Sequence, residues 1–259
     1  MGTRPEAIKM APVIGALVAA EGLEPLVVST GQHRELLDQV IELFQLQVHR
    51  DLQVMQHDQS LASLSARLLT SIDELLEREP PDFALVQGDT TTMLMAMLAC
   101  FYRGVRVGHV EAGLRTGNLA APFPEEANRK LASSLVTLHF PPTERSRQNL
   151  LNEGVDKTQI VITGNTVIDA FRLEHTRQRI PEVRRQIDLH FDRLLGVGWR
   201  ERRFLLITGH RRENFGEGFQ QICAALRQLA QAHPDLDLVY PVHLNPRVRE
   251  PVYRTLGNL

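Results

Sequence analysis

The chain has 259 residues, enough to bury one large core or two modest ones. A hydrophobic content of 43% and a charged content of 23% are those of a globular protein, while a net charge of −2 and aromatics at 5% exclude a basic field or a stacking platform for nucleic acid. No apolar run approaches the ~18 residues of a membrane span and no signal peptide is legible, so a cytoplasmic enzyme is the expectation.

Taken in order, Gly2-Thr3-Arg4-Pro5-Glu6-Ala7-Ile8-Lys9 is a loop running into a helix, with Pro5 in the first turn and Thr3 as its cap. Arg4 and Lys9 have two readings there, a solvated first turn or an anion site at a helix N-terminus, and Gly2 before Arg4 favours phosphate. Glu24–Thr30 reads as a strand, and Gly31-Gln32-His33-Arg34 opens a helix that runs to Phe44. Ser60–Glu79 is amphipathic, with Leu61, Leu64, Leu68, Ile72 and Leu75 on one face, and Pro80-Pro81 ends it.

Two short apolar runs follow, Phe83–Val86 and Val105–Val107, each with the character of a buried parallel strand. Past the first lies Gln87-Gly88-Asp89-Thr90-Thr91-Thr92; past the second lies His109-Val110-Glu111-Ala112-Gly113-Leu114-Arg115, then Pro124-Glu125-Glu126-Ala127-Asn128-Arg129. Loops at the carboxyl ends of parallel strands are where open α/β sheets bind ligands. Asp89, Glu111 and Glu125 are expected to converge there, with Gly88, Gly113 and Gly117 letting backbone approach a ligand. Carboxylates gathered in one crevice suit acid–base chemistry. The simpler account of Glu125 and Glu126 is complementation of a helix dipole.

Thr90–Tyr102 reads as a buried helix, Ala127–Val136 as another, and Leu138–Phe140 and Ile160–Ile162 as strands. Cys100 and Cys223 lie in apolar helix-like runs and read as core thiols, not as a disulfide or metal pair. Beyond Thr163-Gly164-Asn165-Thr166 the composition turns strongly charged, which puts a domain boundary near Asn165–Ala170. A second α/β unit opens at Phe204–Ile207, followed by Gly209-His210-Arg211-Arg212-Glu213-Asn214, a helix over Phe219–Ala232, a strand over Leu236–Tyr240, Pro241-Val242-His243-Leu244-Asn245-Pro246 and a helix over Val248–Leu256. The alternation predicts parallel doubly wound sheets in two Rossmann-like domains, over residues 1–168 and 169–259. About five strands precede the boundary and two follow it, so the second domain reads as truncated and the first as lacking a leading strand.

Seven motifs in this order, Gly2–Lys9, Gln87–Thr92, His109–Arg115, Pro124–Arg129, Thr163–Thr166, Gly209–Asn214 and Pro241–Pro246, together resemble the non-hydrolysing UDP-N-acetylglucosamine 2-epimerase family. The resemblance implies a glycosyltransferase-B type fold and interconversion of UDP-N-acetylglucosamine and UDP-N-acetylmannosamine for surface polysaccharide precursors. It implies no metal and no nicotinamide cofactor. UDP is eliminated across C1–C2 to give 2-acetamidoglucal, then re-added with the C2 proton on the other face. By the same resemblance Asp89, Glu111, Glu125 and His210 are catalytic, Arg4, Lys9, Arg115, Asn165 and Arg211 contact substrate, and Gln32, His33 and His243 border a regulatory UDP-N-acetylglucosamine site. Glu35 and Asp58 stand where some members carry Gln and Arg, a departure at that regulatory site. A homodimer is implied as well. The alternatives are an inactive, truncated nucleotide-sugar-binding remnant and a hydrolysing relative that releases UDP and free N-acetylmannosamine.

Overall fold

The computed structural model describes residues 1–31, 34–56, 59–209, 217–242 and 246–257, with 34–36 and 247 described by backbone alone. The chain divides into two compact units, Met1–Arg177 and Gln178–Leu259.

The first unit is built from parallel strands with helices between them. Strand β1 (Val28–Ser29) pairs β2 (Arg50–Asp51), and β3 (Phe83–Gln87), β4 (Arg106–Val110) and β5 (Leu138–Phe140) form a second parallel sheet with β4 in the middle. β1 is shorter than Glu24–Thr30, and β2 falls in a polar stretch that gives no strand signal. Met1 lies between the two sheets: Thr30 N–H donates to its carbonyl at 2.9 Å, and its side chain packs in the cluster of Val27, Val110, Leu85 and Phe140. The last strand expected in this unit, Ile160–Ile162, is reduced to a single bridge from Ile160 to His139.

The helices begin where their capping residues dictate. Helix α1 (Arg4–Ala19) starts after Thr3, and the Glu6 carboxylate turns back to accept from Thr3 N at 2.7 Å, the reciprocal arrangement of a capping box. α2 spans Arg34–Leu43. α3 (Leu61–Arg78) is capped by Ser60, which accepts from Ser63 N, and it buries Leu64, Leu68, Ile72 and Leu75; Leu61, expected on the same face, is exposed. α4 (Thr91–Tyr102) is capped by Thr90, packs on α3, and buries Met93 and Met97 in the main core of the unit. Burial also pushes the Cys100 thiol up to about 11, so it stays a thiol at neutral pH. α5 (Glu125–Ser133) and α6 (Glu144–Asn152) follow β4 and β5. Gly113 is where α6 and the loop after β4 touch: its φ is +81°, and a Cβ there would lie 2.2 Å from the Ser146 carbonyl oxygen. The close approach that this glycine permits is therefore to the protein's own backbone. α7 (Thr166–Arg177), which the change of composition puts beyond the boundary, packs on α1 and belongs to the first unit.

The second unit has α8 (Pro181–Leu195), then β6 (Arg203–Leu206) paired in parallel with β7 (Leu236–Val239), α9 (Glu217–Ala232) and α10 (Pro246–Leu256). Its core is Phe219, Cys223, Val248 and Val252, with Tyr240 and Leu256 packed against them. Both cysteines are buried and unpaired, as their apolar settings lead one to expect.

Candidate active site

The first unit holds a cavity of about 330 Å³ at the carboxyl ends of β3 and β4, lined among others by Thr3, Glu6 and Lys9 of the first loop and helix, Gln87–Thr90, Glu111 and Glu125. Asp89, Glu111 and Glu125 thus come together with Lys9, from elements up to about a hundred residues apart in sequence. A larger groove of about 750 Å³ along α8 is lined by Arg184, Arg185 and Asp188, whose charges are engaged in ion pairs on the unit's own surface; it holds none of the converging carboxylates.

Each carboxylate has a different setting. Glu111 is 8% exposed and tightly held: Lys9 Nζ is 2.5 Å from Oε2, Gln87 Nε2 donates to the same oxygen, and Asn165 Nδ2 donates to Oε1 at 3.0 Å. Its φ is +65°, a left-handed conformation that costs a side-chain-bearing residue roughly 1–3 kcal/mol and that persists only where surroundings enforce it. Asp89 follows Gly88, whose φ of +80° makes the turn out of β3. Burial raises the Asp89 pKa above the usual carboxylate value; Glu125 and Glu111 push the same way, and Arg129 and Lys9 oppose them. Glu125, at the start of α5, keeps Oε2 buried without a hydrogen-bond partner among the described residues.

Around these three lies a supporting layer that the motifs contain but whose parts sequence patterns leave unassigned. Glu6 is 3% exposed; its Oε2 accepts from Gly2 N (2.9 Å), Thr3 N (2.7 Å) and Thr3 Oγ1 (2.9 Å), while Oε1 accepts from Thr90 Oγ1 at 2.7 Å. It ties the first loop to the loop that carries Asp89, and its signal was the Thr-x-x-Glu spacing of a capping box. His109, on β4, sits 2.7 Å from the Gly88 carbonyl through Nε2. Burial lowers its pKa to about 4, so at neutral pH the ring is uncharged and Nε2–H is the donor. Asn128 Nδ2 donates to the Asp89 carbonyl at 2.8 Å, and Arg129 lies beside the Asp89 carboxylate. Glu126 does more than complement a dipole: it is fully buried, and Oε1 accepts from Thr116 N and Gly117 N.

The remaining sequence candidates divide. Arg4 is exposed at the start of α1, next to the cavity-lining Thr3 and Pro5. Asn165 reaches Glu111. Arg115 does not line the cavity; its guanidinium is engaged by both Glu153 oxygens (2.8 and 2.6 Å), the Leu114 carbonyl and Ser133 Oγ, which makes it a brace between β4 and α6. His210, Arg211, Gln32, His33 and His243 lie outside the described residues, as do Asp58 and the Glu35 side chain. Among the described residues no group of three or more His, Cys, Asp or Glu side chains could hold a metal ion, and no helix is long and apolar enough to cross a membrane.

Carboxylates in unlike settings at the carboxyl ends of parallel strands are an arrangement that α/β enzymes use for acid–base chemistry. The family model described as UDP-N-acetylglucosamine 2-epimerase matches residues 15–259. UDP-N-acetylglucosamine 2-epimerase of Yersinia pestis is 51% identical over 259 residues, covering all of this chain and 68% of the relative. The crystal structure of UDP-GlcNAc 2-epimerase from Neisseria meningitidis bound to UDP-GlcNAc superposes with a TM-score of 0.92 at 45% identity over 99% of this chain and 68% of that one. The structure from Methanocaldococcus jannaschii in complex with UDP-GlcNAc and UDP matches at 29% identity and a TM-score of 0.78, over 98% of this chain and 67% of that one. The chain belongs to the UDP-N-acetylglucosamine 2-epimerase family, and its fold is of the glycosyltransferase-B type.

Proposed function

We propose that the chain interconverts UDP-N-acetylglucosamine and UDP-N-acetylmannosamine, and that it does so without net hydrolysis. The single observation that carries this reading is the convergence of Asp89, Glu111 and Glu125 with Lys9 in one cavity, in a chain of this family. Inversion at C2 requires a base to take the C2 proton and an acid to return one from the opposite face. As the proton leaves, the C1–O bond breaks and UDP departs with the electron pair, leaving 2-acetamidoglucal; re-addition reverses both changes.

The surroundings suit the three carboxylates to different parts of this. Glu111 is engaged by Lys9, Gln87 and Asn165, a setting for orienting and for balancing charge. Asp89, with its raised pKa, and Glu125, with its free buried oxygen, are the pair suited to carry a proton. The departing diphosphate is anionic, and Arg4 and Lys9 at the start of α1, with His210 and Arg211, are proposed to meet it. A regulatory UDP-N-acetylglucosamine site at Gln32, His33 and His243, a homodimer, a cytoplasmic location and a role in surface polysaccharide synthesis belong to the same reading.

The test is incubation with UDP-N-acetylglucosamine in deuterated water, followed by proton NMR. Formation of UDP-N-acetylmannosamine with deuterium at C2 is expected, and loss of both in Asp89→Asn and Glu125→Gln. Undiminished incorporation in both variants would remove these residues from the reaction. Release of free N-acetylmannosamine would replace the non-hydrolysing route by the hydrolysing one.

A further inference from the structure

Arg129 differs from Arg115, another arginine of the first unit whose side chain is buried. The Arg115 side chain, 8% exposed, makes a two-pronged contact to one carboxylate, Glu153. The Arg129 side chain is 9% exposed, yet its Nε and Nη2 make no hydrogen bond among the described residues. It is divided between two carboxylates instead: Nε lies 3.1 Å from Glu126 Oε2, and Nη1 lies 3.5 Å from Asp89 Oδ2. Glu126 cannot follow it, because Oε1 is fixed by the Thr116 and Gly117 amides at 3.0 and 2.9 Å. One residue before Arg129, Asn128 grips the Asp89 backbone carbonyl. One turn of α5 therefore holds Asp89 by backbone and by charge.

We propose that Arg129 is a positioning residue that sets the charge state of Asp89, and that Glu126, pinned by the backbone of the loop after β4, aims it. The proposal rests on the acid–base reading of Asp89 given above. Four charged groups act on Asp89 from the elements around it: Arg129 and Glu125 on α5, Glu111 at the end of β4 and Lys9 on α1. Burial and the two carboxylates favour the protonated form, and Arg129 is the strongest opposing influence, since Lys9 is already bound to Glu111. Without Arg129 the Asp89 pKa would be raised further, and a base that stays protonated cannot take the C2 proton. Glu126 works in the other sense, because it draws on the same guanidinium.

The experiment is a carbon-13 titration of the aspartate side-chain carboxyls in the full chain, with the Asp89 signal identified by its loss in Asp89→Asn. Arg129→Met is expected to raise the Asp89 midpoint by at least about one pH unit, the lower end of what a cation within a few ångströms contributes. Arg129→Lys should recover most of the difference, and Glu126→Gln, which keeps an oxygen for the two amides, should lower the midpoint below that of the parent chain. Shifts in opposite directions cannot come from loosened packing. An unmoved midpoint in Arg129→Met, or in Glu126→Gln if the first variant fails to fold by circular dichroism, overturns the proposal. The titration needs no turnover, so failure of the acid–base reading would show separately, as full C2 deuterium incorporation by Asp89→Asn.

Discussion

His109 and His139 should make the first unit unusually sensitive to mild acid. They face each other in register on β4 and β5, with 2% and 1% of their surface exposed. Burial is the main reason that both pKa values fall from 6.5 to about 4; the Arg115 charge adds to it at each ring, and His139 adds to it at His109. The Gly88 carbonyl at His109 and Glu153 at His139 work the other way and are outweighed. In the unfolded chain each ring takes a proton as pH drops below 6.5, and in the folded chain only near 4. Between those values the unfolded state binds more protons, so stability is lost as pH falls and is fully present above 6.5. A drop from 6.5 to about 4 corresponds to about 3 kcal/mol for each ring, about 2 kcal/mol of which is gone by pH 5. The two rings are neighbours and titrate together, so about 6 kcal/mol is the ceiling for the pair.

Urea unfolding between pH 7 and pH 4.5 measures this, with His109→Gln and His139→Leu as the non-titrating variants. Gln at 109 can still donate to the Gly88 carbonyl, so the variant removes the proton uptake and keeps the hydrogen bond. Trp199, the only tryptophan, lies in the second unit, so its fluorescence follows that unit while far-UV circular dichroism follows both. The carboxylates with lowered pKa values, Asp73, Glu79, Glu153 and Asp156, lose stability at still lower pH in every variant and cancel in the comparison. Each variant should remove close to half of the pH dependence above 4.5. The same slope in both variants and the parent would show that the buried rings are not what acid attacks.

Three other outcomes follow from the site. Asp89→Asn should raise the melting temperature at pH 7, because a carboxyl with a raised folded pKa loses stability as pH rises through it; an unchanged or lower melting temperature would contradict the burial of that charge. Glu6→Ala should lower stability by about 2–4 kcal/mol in chemical denaturation, since it leaves the Gly2 and Thr3 amides without an acceptor, and a loss below about 1 kcal/mol would mean that water replaces the carboxylate. Arg4→Ala and His210→Asn should weaken UDP binding by roughly tenfold or more in calorimetry, while Arg115→Met should lower stability and leave UDP affinity near that of the parent chain; the reverse pattern would return Arg115 to the cavity.

What the sequence made legible was whatever local rules dictate. Thr3, Ser60 and Thr90 begin their helices as capping residues do, and the apolar runs Phe83–Val86 and Val105–Val107 fall on β3 and β4, which is why the Asp89 and Glu111 loops could be placed at strand ends. The strand pairings were harder. β2, two residues of Arg and Asp, exists only because β1 offers it a partner, and Ile160 makes one bridge because β5 is itself only three residues long. Side-chain partners were harder still. Nothing local distinguishes Arg115, which braces Glu153, from Arg129, which lies beside Asp89; the difference is which helix packs against the loop.

The chemistry of the site likewise resides less in the carboxylates than in what surrounds them. Asp89, Glu111 and Glu125 share one cavity of about 330 Å³, where like charges disfavour one another. Lys9, Gln87 and Asn165 all engage Glu111, and its left-handed φ keeps it where those donors meet. With that charge balanced, burial can raise Asp89 without expelling it, and Arg129 limits how far. Glu125 keeps an unpartnered oxygen. A residue that has all its hydrogen bonds satisfied by protein has little left to offer a sugar; one that lacks a partner is ready for substrate to supply it. The order of commitment, with Glu111 most engaged, Asp89 less and Glu125 least, is the ground on which proton transfer at C2 is proposed for Asp89 and Glu125, with Glu111 making their proximity tolerable.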